Sequence, residues 1–360
     1  MCPVEDPEKV EYVLDIAKRA FGFPNAPHLP VDNPVSLDAS NISLLSQHEY
    51  IVSLKADGTR YLLVLCMYRG RPLACLVNRA SKVYTLYITA KASLFKNTSV
   101  FDGELCRCVS GQAGTYVFLV FNALMDQGAV LRDKPYRMRL VHVANNFSAE
   151  PVPAAQRDRL QTFVHARSPR LHMMRKEHDD AHKMRGLLHN VTPNYKIDGV
   201  VLTPAQRPVC SGRDEHTIKY KTDHPIDVLL VAEGAGYGMY VDDDGGTMRL
   251  ADVVGMPVFF DAAASPEFAQ IEQGASVYGR ELGQAAAPFR HVVELDCAFR
   301  DDPTRGRVLH LSFLRFRPDK DGPNNARTVA RTIRSMCDNI QMEDVYAAIA
   351  RYQPSHPSQP

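Results

Sequence analysis

At 360 residues, the chain is long enough to bury a substantial core, and its length favours two or three domains over one. Forty-two Lys and Arg nearly cancel 41 Asp and Glu, which excludes a uniformly basic nucleic-acid binder; a nucleic-acid partner must be held by a local basic surface. Eight cysteines with no CxxC pair and no regular spacing read as buried thiols in a reducing compartment, neither a zinc site nor a disulfide framework.

An amphipathic helical stretch spans Val10 to Phe21, followed by a Pro-rich loop from Pro24 to Pro34. Strand-like runs rich in β-branched and apolar residues come next: Tyr50 to Leu54, Tyr61 to Met67, Leu73 to Asn78, Ser99 to Leu105 and Tyr116 to Leu124. Helical signals return at Pro153 to Val164 and His178 to His189, before strands at Gly199 to Thr203 and from Thr217 to Val231. From about Asp223 the composition shifts to turn-rich acidic and glycine segments between short strands, the pattern of a small barrel. A helix is expected over Ala326 to Ile340, capped by Asn324 or Asn325, and Pro354 to Pro360 read as a frayed tail. No apolar run approaches the ~20 residues of a membrane span and the acidic N-terminus lacks a signal-peptide core, so the chain reads as soluble and intracellular.

The sharpest local pattern is Lys55-Ala56-Asp57-Gly58-Thr59-Arg60 between two strand-like runs. By itself it reads as a β-turn with solvated flanking cations. A lysine nucleophile, however, needs a neutral amine, which cationic neighbours in a partly desolvated cleft favour. Lys219-Tyr220-Lys221 puts two ammonium groups on one strand face, an arrangement that suits a phosphate. Asp102-Gly103-Glu104, Asp198-Gly199 and Arg315-Phe316-Arg317-Pro318-Asp319-Lys320 complete the set. Gly234-Ala235-Gly236-Tyr237-Gly238 imitates a dinucleotide loop, but its third glycine is misplaced and no helix follows, so it reads as a barrel turn.

These clusters, in this order, resemble the covalent nucleotidyltransferase superfamily of mRNA-capping guanylyltransferases and ATP-dependent ligases, over about Ser53 to Ile340. The resemblance implies an α+β fold. A nucleotidyltransferase domain of mixed antiparallel sheets with helices would occupy 1–222 and an OB-fold β-barrel 223–321. A helix at 322–350 would pack back on the first domain, and 351–360 would be a flexible tail. It implies that Lys55 forms a lysyl-N-GMP phosphoramidate from GTP. Asp57 lies in the lysine motif among the nucleotide-binding residues, Arg60 and Arg79 are ribose and phosphate contacts, Glu104 is the ribose-side carboxylate, and Phe121 stacks on guanine. Asp198, with Glu104, would hold Mg2+ or Mn2+. Lys219 and Lys221 would stabilise the α-phosphate, Asp227 would position one of these groups, and Arg317, Asp319 and Lys320 would close over the pyrophosphate end. Arg175 and Lys176 are candidate guanine readers, since guanine O6 accepts a hydrogen bond. Phe121 is followed by Asn122 where the family usually has Asp.

Asp-Gly at 198–199, where ligases have Glu-Gly, and the Pro225-Ile226-Asp227 strand favour capping; a compact ATP-dependent DNA or RNA ligase with a lysyl-AMP intermediate is the alternative. A non-catalytic OB-fold nucleic-acid-binding protein is a third reading, which loss of the lysine or its phosphate partners would mark; none is lost. The capping reading implies 5′-diphosphate RNA as acceptor, a separate RNA 5′-triphosphatase and cap methyltransferase, and the transcribing RNA polymerase as a further partner. It implies the nucleus for a cellular enzyme, or host cytoplasm, nucleus or virion for a viral one.

Overall fold

The computed structural model describes residues 2–152, 163–221, 223–234, 236–260, 265, 266, 268, 289–318 and 320–353. It divides into two compact units, Met1–Lys221 with Met342–Pro360, and Thr222–Gln341. The expected helix at 153–164 falls almost wholly outside the described residues, as do the tail and Asp319.

The first unit is built on two large sheets, beside a two-stranded ladder of Ile88–Thr89 with His165–Ala166. One has eight strands, among them β2 (Thr59–Tyr68), β3 (Arg71–Asn78), β4 (Ser99–Arg107) and β5 (Tyr116–Asp126), with β6 (Leu171–Arg175) running parallel to β5. The second has five, in the order His178–Asp180, β1 (Tyr50–Ala56), β7 (Ile197–Pro204), β8 (Gly212–Tyr220) and Asp32–Ser36. Period-two alternation gives the eight-stranded sheet two buried faces. Leu62, Val64, Cys75 and Val77 meet helix α1 (Pro7–Phe21) through Val13, Ala17, Ala20 and Phe21. Leu63, Leu65, Leu76, Phe101 and Phe118 pack on the other side with Val143 of α2 (Tyr136–Asn146) and with Phe147. Asp6 caps α1, accepting from the Glu8 and Lys9 amides, and left-handed Gly22 ends it.

The stretch read as helical over 178–189 begins instead as a strand: His178–Asp180 pairs antiparallel with Ile51–Ser53, and the helix, α3, is confined to Met184–Asn190. Pairing with β1 overrides local propensity there.

The second unit is a six-stranded sheet around β9 (Ile226–Glu233), β10 (Gly236–Asp243), β11 (Arg290–Asp302) and β12 (Gly306–Phe316). Its edges are Gly246–Arg249 and Val258–Phe260, and among the described residues no ladder joins them, so the described strands form an open sheet. The dinucleotide-loop mimic is the β9–β10 hairpin, with Glu233 opposite Gly236. The single packing helix expected at 322–350 is two helices. Helix α4 (Ala326–Asp338), capped by Asn325, sinks Val329, Ile333 and Met336 into the second unit's own core. After Asn339 turns left-handed, α5 (Met342–Ala350) belongs to the first unit, where it lies against Ile42–Ser46. No helix among the described residues is long and apolar enough to cross a membrane.

Candidate active site

The lysine motif stands where the chain leaves one sheet and enters the other. Strands β1 and β2 are not hydrogen-bonded neighbours, so Asp57-Gly58 is a crossover and not a hairpin turn. The Asp57 amide donates to the Lys196 carbonyl at 2.9 Å. A Cβ on Gly58 would lie 2.6 Å from the Leu105 carbonyl oxygen and 2.9 Å from Cγ of Glu104, so glycine lets the crossover sit directly on β4. Lys55 thereby comes from the five-stranded sheet, and Arg60, Glu104 and Phe121 from the eight-stranded one.

Asp198, next to β7's bulge, faces Lys55: Nζ donates to both carboxylate oxygens, at 2.8 and 3.0 Å. Lys221 makes an ion pair with the same carboxylate. Burial by itself would raise the Asp198 carboxyl, but the hydrogen bonds from Lys221 and Lys55 hold it below its ordinary value. Lys219 lies beside Val201 in the β7–β8 ladder, and its ammonium is shifted down by burial, then by the Lys221 and Lys55 charges. Two lysines therefore pair with one carboxylate and a third, Lys219, lies within reach of their charges, an excess of positive charge that an anion of several charges would neutralise. Gly199 makes this geometry possible: at φ +143° its missing Cβ would stand 2.0 Å from the Tyr220 carbonyl oxygen.

Arg60 is anchored on both sides. Its Nε donates to Asp102 at 2.9 Å, and its Nη2 pairs with Asp102 and Asp32. Burial works against the guanidinium, but the Asp102 and Asp32 charges outweigh it and keep it firmly protonated. Its guanidinium carbon and the Lys176 ammonium each lie 5.4 Å from the centroid of the Phe121 ring. Glu104 is pushed up to about 7 by burial, against the pull of Lys176, Arg60 and Lys55, while burial pushes Lys176 down to about 8 against the pull of Glu104.

Of the residues expected at the site, the structure brings Lys55, Arg60, Glu104, Phe121, Lys176, Asp198, Lys219 and Lys221 together. Arg175 ends β6 with its amide on Ser148, and its neighbour Lys176, not Arg175, is the cation at the Phe121 ring. Arg79 sits exposed just past β3 and makes no ion pair among the described residues. Asp227 lies in the second unit, where Arg317 and Lys320 pair with it at 2.9 and 2.8 Å; Glu294 also faces Arg317, at 3.4 Å. Asn122, in place of the usual Asp, accepts from Arg139 at 2.8 Å. Burial pushes that guanidinium down to about 10. Asp32 is a residue the sequence did not flag; its place in a Pro-rich loop carries no pattern that links it to Arg60.

A profile described as "mRNA capping enzyme, catalytic domain" matches residues 4–223, well over half of the chain. The chain belongs to the mRNA capping enzyme family. Curated relatives named mRNA-capping enzyme subunit alpha extend the match. The Schizosaccharomyces pombe protein is 24% identical over 88% of this chain and 78% of its own length. The Neurospora crassa one is 28% identical over 95% and 87%. A solved structure titled "mycobacterial DNA ligase D complexed with ATP and MES" is 18% identical, covering 82% of this chain and 95% of that chain, with a TM-score of 0.41. Within the capping family, the lysine-carboxylate centre of this chain is built on the five-stranded sheet of its first unit, and Arg60, Glu104 and Phe121 come from the eight-stranded one.

Proposed function

We infer that this chain is an mRNA guanylyltransferase that carries GMP on Lys55. The observation that carries the reading is the pairing of Lys55 and Lys221 with Asp198, with the Lys219 charge close by and Lys176 at the Phe121 ring. Asp198 holds Nζ in place. In the first step Nζ bonds to the α-phosphorus of GTP, the α–β phosphoanhydride bond breaks and pyrophosphate leaves. In the second, an oxygen of the RNA 5′-diphosphate attacks the same phosphorus, the N–P bond breaks, and Lys55 is released with the GpppN cap formed. Lys219 and Lys221 offset charge on the α-phosphate, Arg60 contacts the ribose or phosphate from its two-carboxylate anchor, and Phe121 stacks on guanine with Lys176 facing O6.

Asp198 and Glu104 supply hard oxygen donors. Among the described residues no group of three or more His, Cys, Asp or Glu side chains converges, but Mg2+ is ordinarily held by one or two carboxylates with phosphates and water. The donor set therefore fits Mg2+ or Mn2+, which when bound would neutralise phosphate charge. In the second unit, Asp227 keeps Arg317 and Lys320 side by side, a pairing that suits closure over the pyrophosphate end, with Asp319 assigned to the same task by resemblance. The relatives' names, as subunits alpha, support a partner polypeptide. A separate RNA triphosphatase, a cap methyltransferase and the transcribing polymerase are the partners proposed, with the nucleus as the site of action in a cell.

Incubation with α-labelled GTP and magnesium, then denaturing electrophoresis, tests the assignment: label from GTP and not ATP, acid-labile and alkali-stable, is expected. Label from ATP alone would move the chain to the ligases. For closure, Arg317→Ala should slow enzyme guanylylation about a hundredfold while slowing transfer from preformed enzyme-GMP less than about threefold. Equal losses in both steps would sink that role.

Lys176 gives a pH signature. Its cation is present at neutral pH and lost as pH rises through about 8 in the free protein. GTP affinity of Lys55→Arg, which keeps the neighbouring positive charge and forms no adduct, measured by fluorescence titration, should therefore fall about tenfold from pH 7 to pH 9. Lys176→Arg should flatten the curve, and a flat curve for the parent would remove Lys176 from base recognition.

A further inference from the structure

Tyr136 and His178 take no part in the chemistry just described, yet both touch the backbone of the two residues that flank the base slot. Tyr136, the first residue of α2 and 4% exposed, places its hydroxyl 2.9 Å from the Phe121 carbonyl oxygen and 2.9 Å from Nε2 of His178. On the other side of the imidazole, Nδ1 lies 2.8 Å from the Lys176 carbonyl oxygen.

A carbonyl only accepts, so Nδ1 of His178 carries the proton and Nε2 presents a lone pair. The Tyr136 hydroxyl has one proton, shared between two acceptors, Nε2 and the Phe121 carbonyl. Desolvation of the ring, then the Lys176 and Arg175 charges, push the imidazole down to about 3 and keep it neutral. One shared hydroxyl proton thus links the Phe121 backbone to His178, and His178, on the edge strand of the five-stranded sheet, holds the Lys176 backbone.

We propose that Tyr136 and His178 are positioning residues for base selection: they fix the spacing between the Phe121 ring and the Lys176 ammonium. The proposal rests on the reading of Phe121 and Lys176 as the base-contacting pair. Neither residue's hydrogen bonds reach Lys55, Lys221 or Asp198, so their loss should weaken recognition of the base and spare the phosphate side.

The test is guanylylation of the full chain by GTP, with inorganic tripolyphosphate as a competitive inhibitor that has no base. For Tyr136→Phe, which keeps the ring volume, and for His178→Leu, the KM for GTP should rise about tenfold. The maximal rate and the tripolyphosphate inhibition constant should each stay within about twofold. His178→Gln, whose amide keeps a donor and an acceptor, should recover most of the loss. An unchanged KM, or a KM and an inhibition constant that rise together, overturns the proposal, the latter by showing a merely structural role. Phe121→Ala separates the two claims. If it too leaves KM unchanged, the base-slot reading is what fails. If it raises KM while Tyr136→Phe and His178→Leu do not, only the positioning role falls.

Discussion

Lys55→Ala should lose covalent labelling by GTP by at least about a thousandfold, because the amine assigned to form the phosphoramidate that denaturing electrophoresis detects is gone. The same variant should keep its fold. Asp198, 24% exposed, retains Lys221 when Lys55 is gone, so no buried charge is left without a partner and the loss should stay on the order of 1 kcal/mol. Its Tm should lie within about 3 °C of the parent. Lys55→Arg should be equally silent, since the cation at Asp198 is kept and a guanidinium is not a nucleophile at neutral pH. Labelling that survives in Lys55→Ala would mean that one of the other converging lysines carries the nucleotide.

Gly199→Ala is expected to be the most destructive single methyl group in the first unit. A Cβ at that position would lie 2.0 Å from the Tyr220 carbonyl oxygen and 3.0 Å from its carbonyl carbon, all backbone, with φ at +143°. Strand β7 must move away from β8, which carries Asp198 away from Lys221 and breaks pairings such as Val200 with Tyr220. The expected cost is about 4 kcal/mol or more, seen as loss of soluble protein or a Tm drop of about 10 °C. A soluble Gly199→Ala with parental Tm would show that the β7–β8 approach is not as tight as described.

The motif residues were legible in the sequence because each lies on a local pattern: KxDGxR at a strand end, two lysines at strand spacing, a carboxylate before a glycine. The supporting residues were not. Asp32 reaches Arg60, and His178 reaches Tyr136, across 28 and 42 residues of chain. Nothing near either residue marks the pairing. The segment at 178–189 misled because its composition suits a helix, whereas its first three residues complete the sheet edge beside β1. In the second domain, strand alternation was readable, but whether the sheet closes depends on which edges meet, and the described edges do not. The Asn325 cap was visible as an Asn before an amphipathic run; which core that run would join was not.

The first unit is discontinuous in the chain: Met1–Lys221 is completed by Met342–Pro360. During synthesis the surface at Ile42–Ser46 therefore waits for α5 while all of Thr222–Gln341 is made, on the order of ten seconds at ribosomal speed. A nascent chain stalled between the two would display a nearly complete nucleotide pocket with its last helix missing, a species for chaperones to hold. Fragments ending at Lys221 would reproduce that intermediate and not the enzyme.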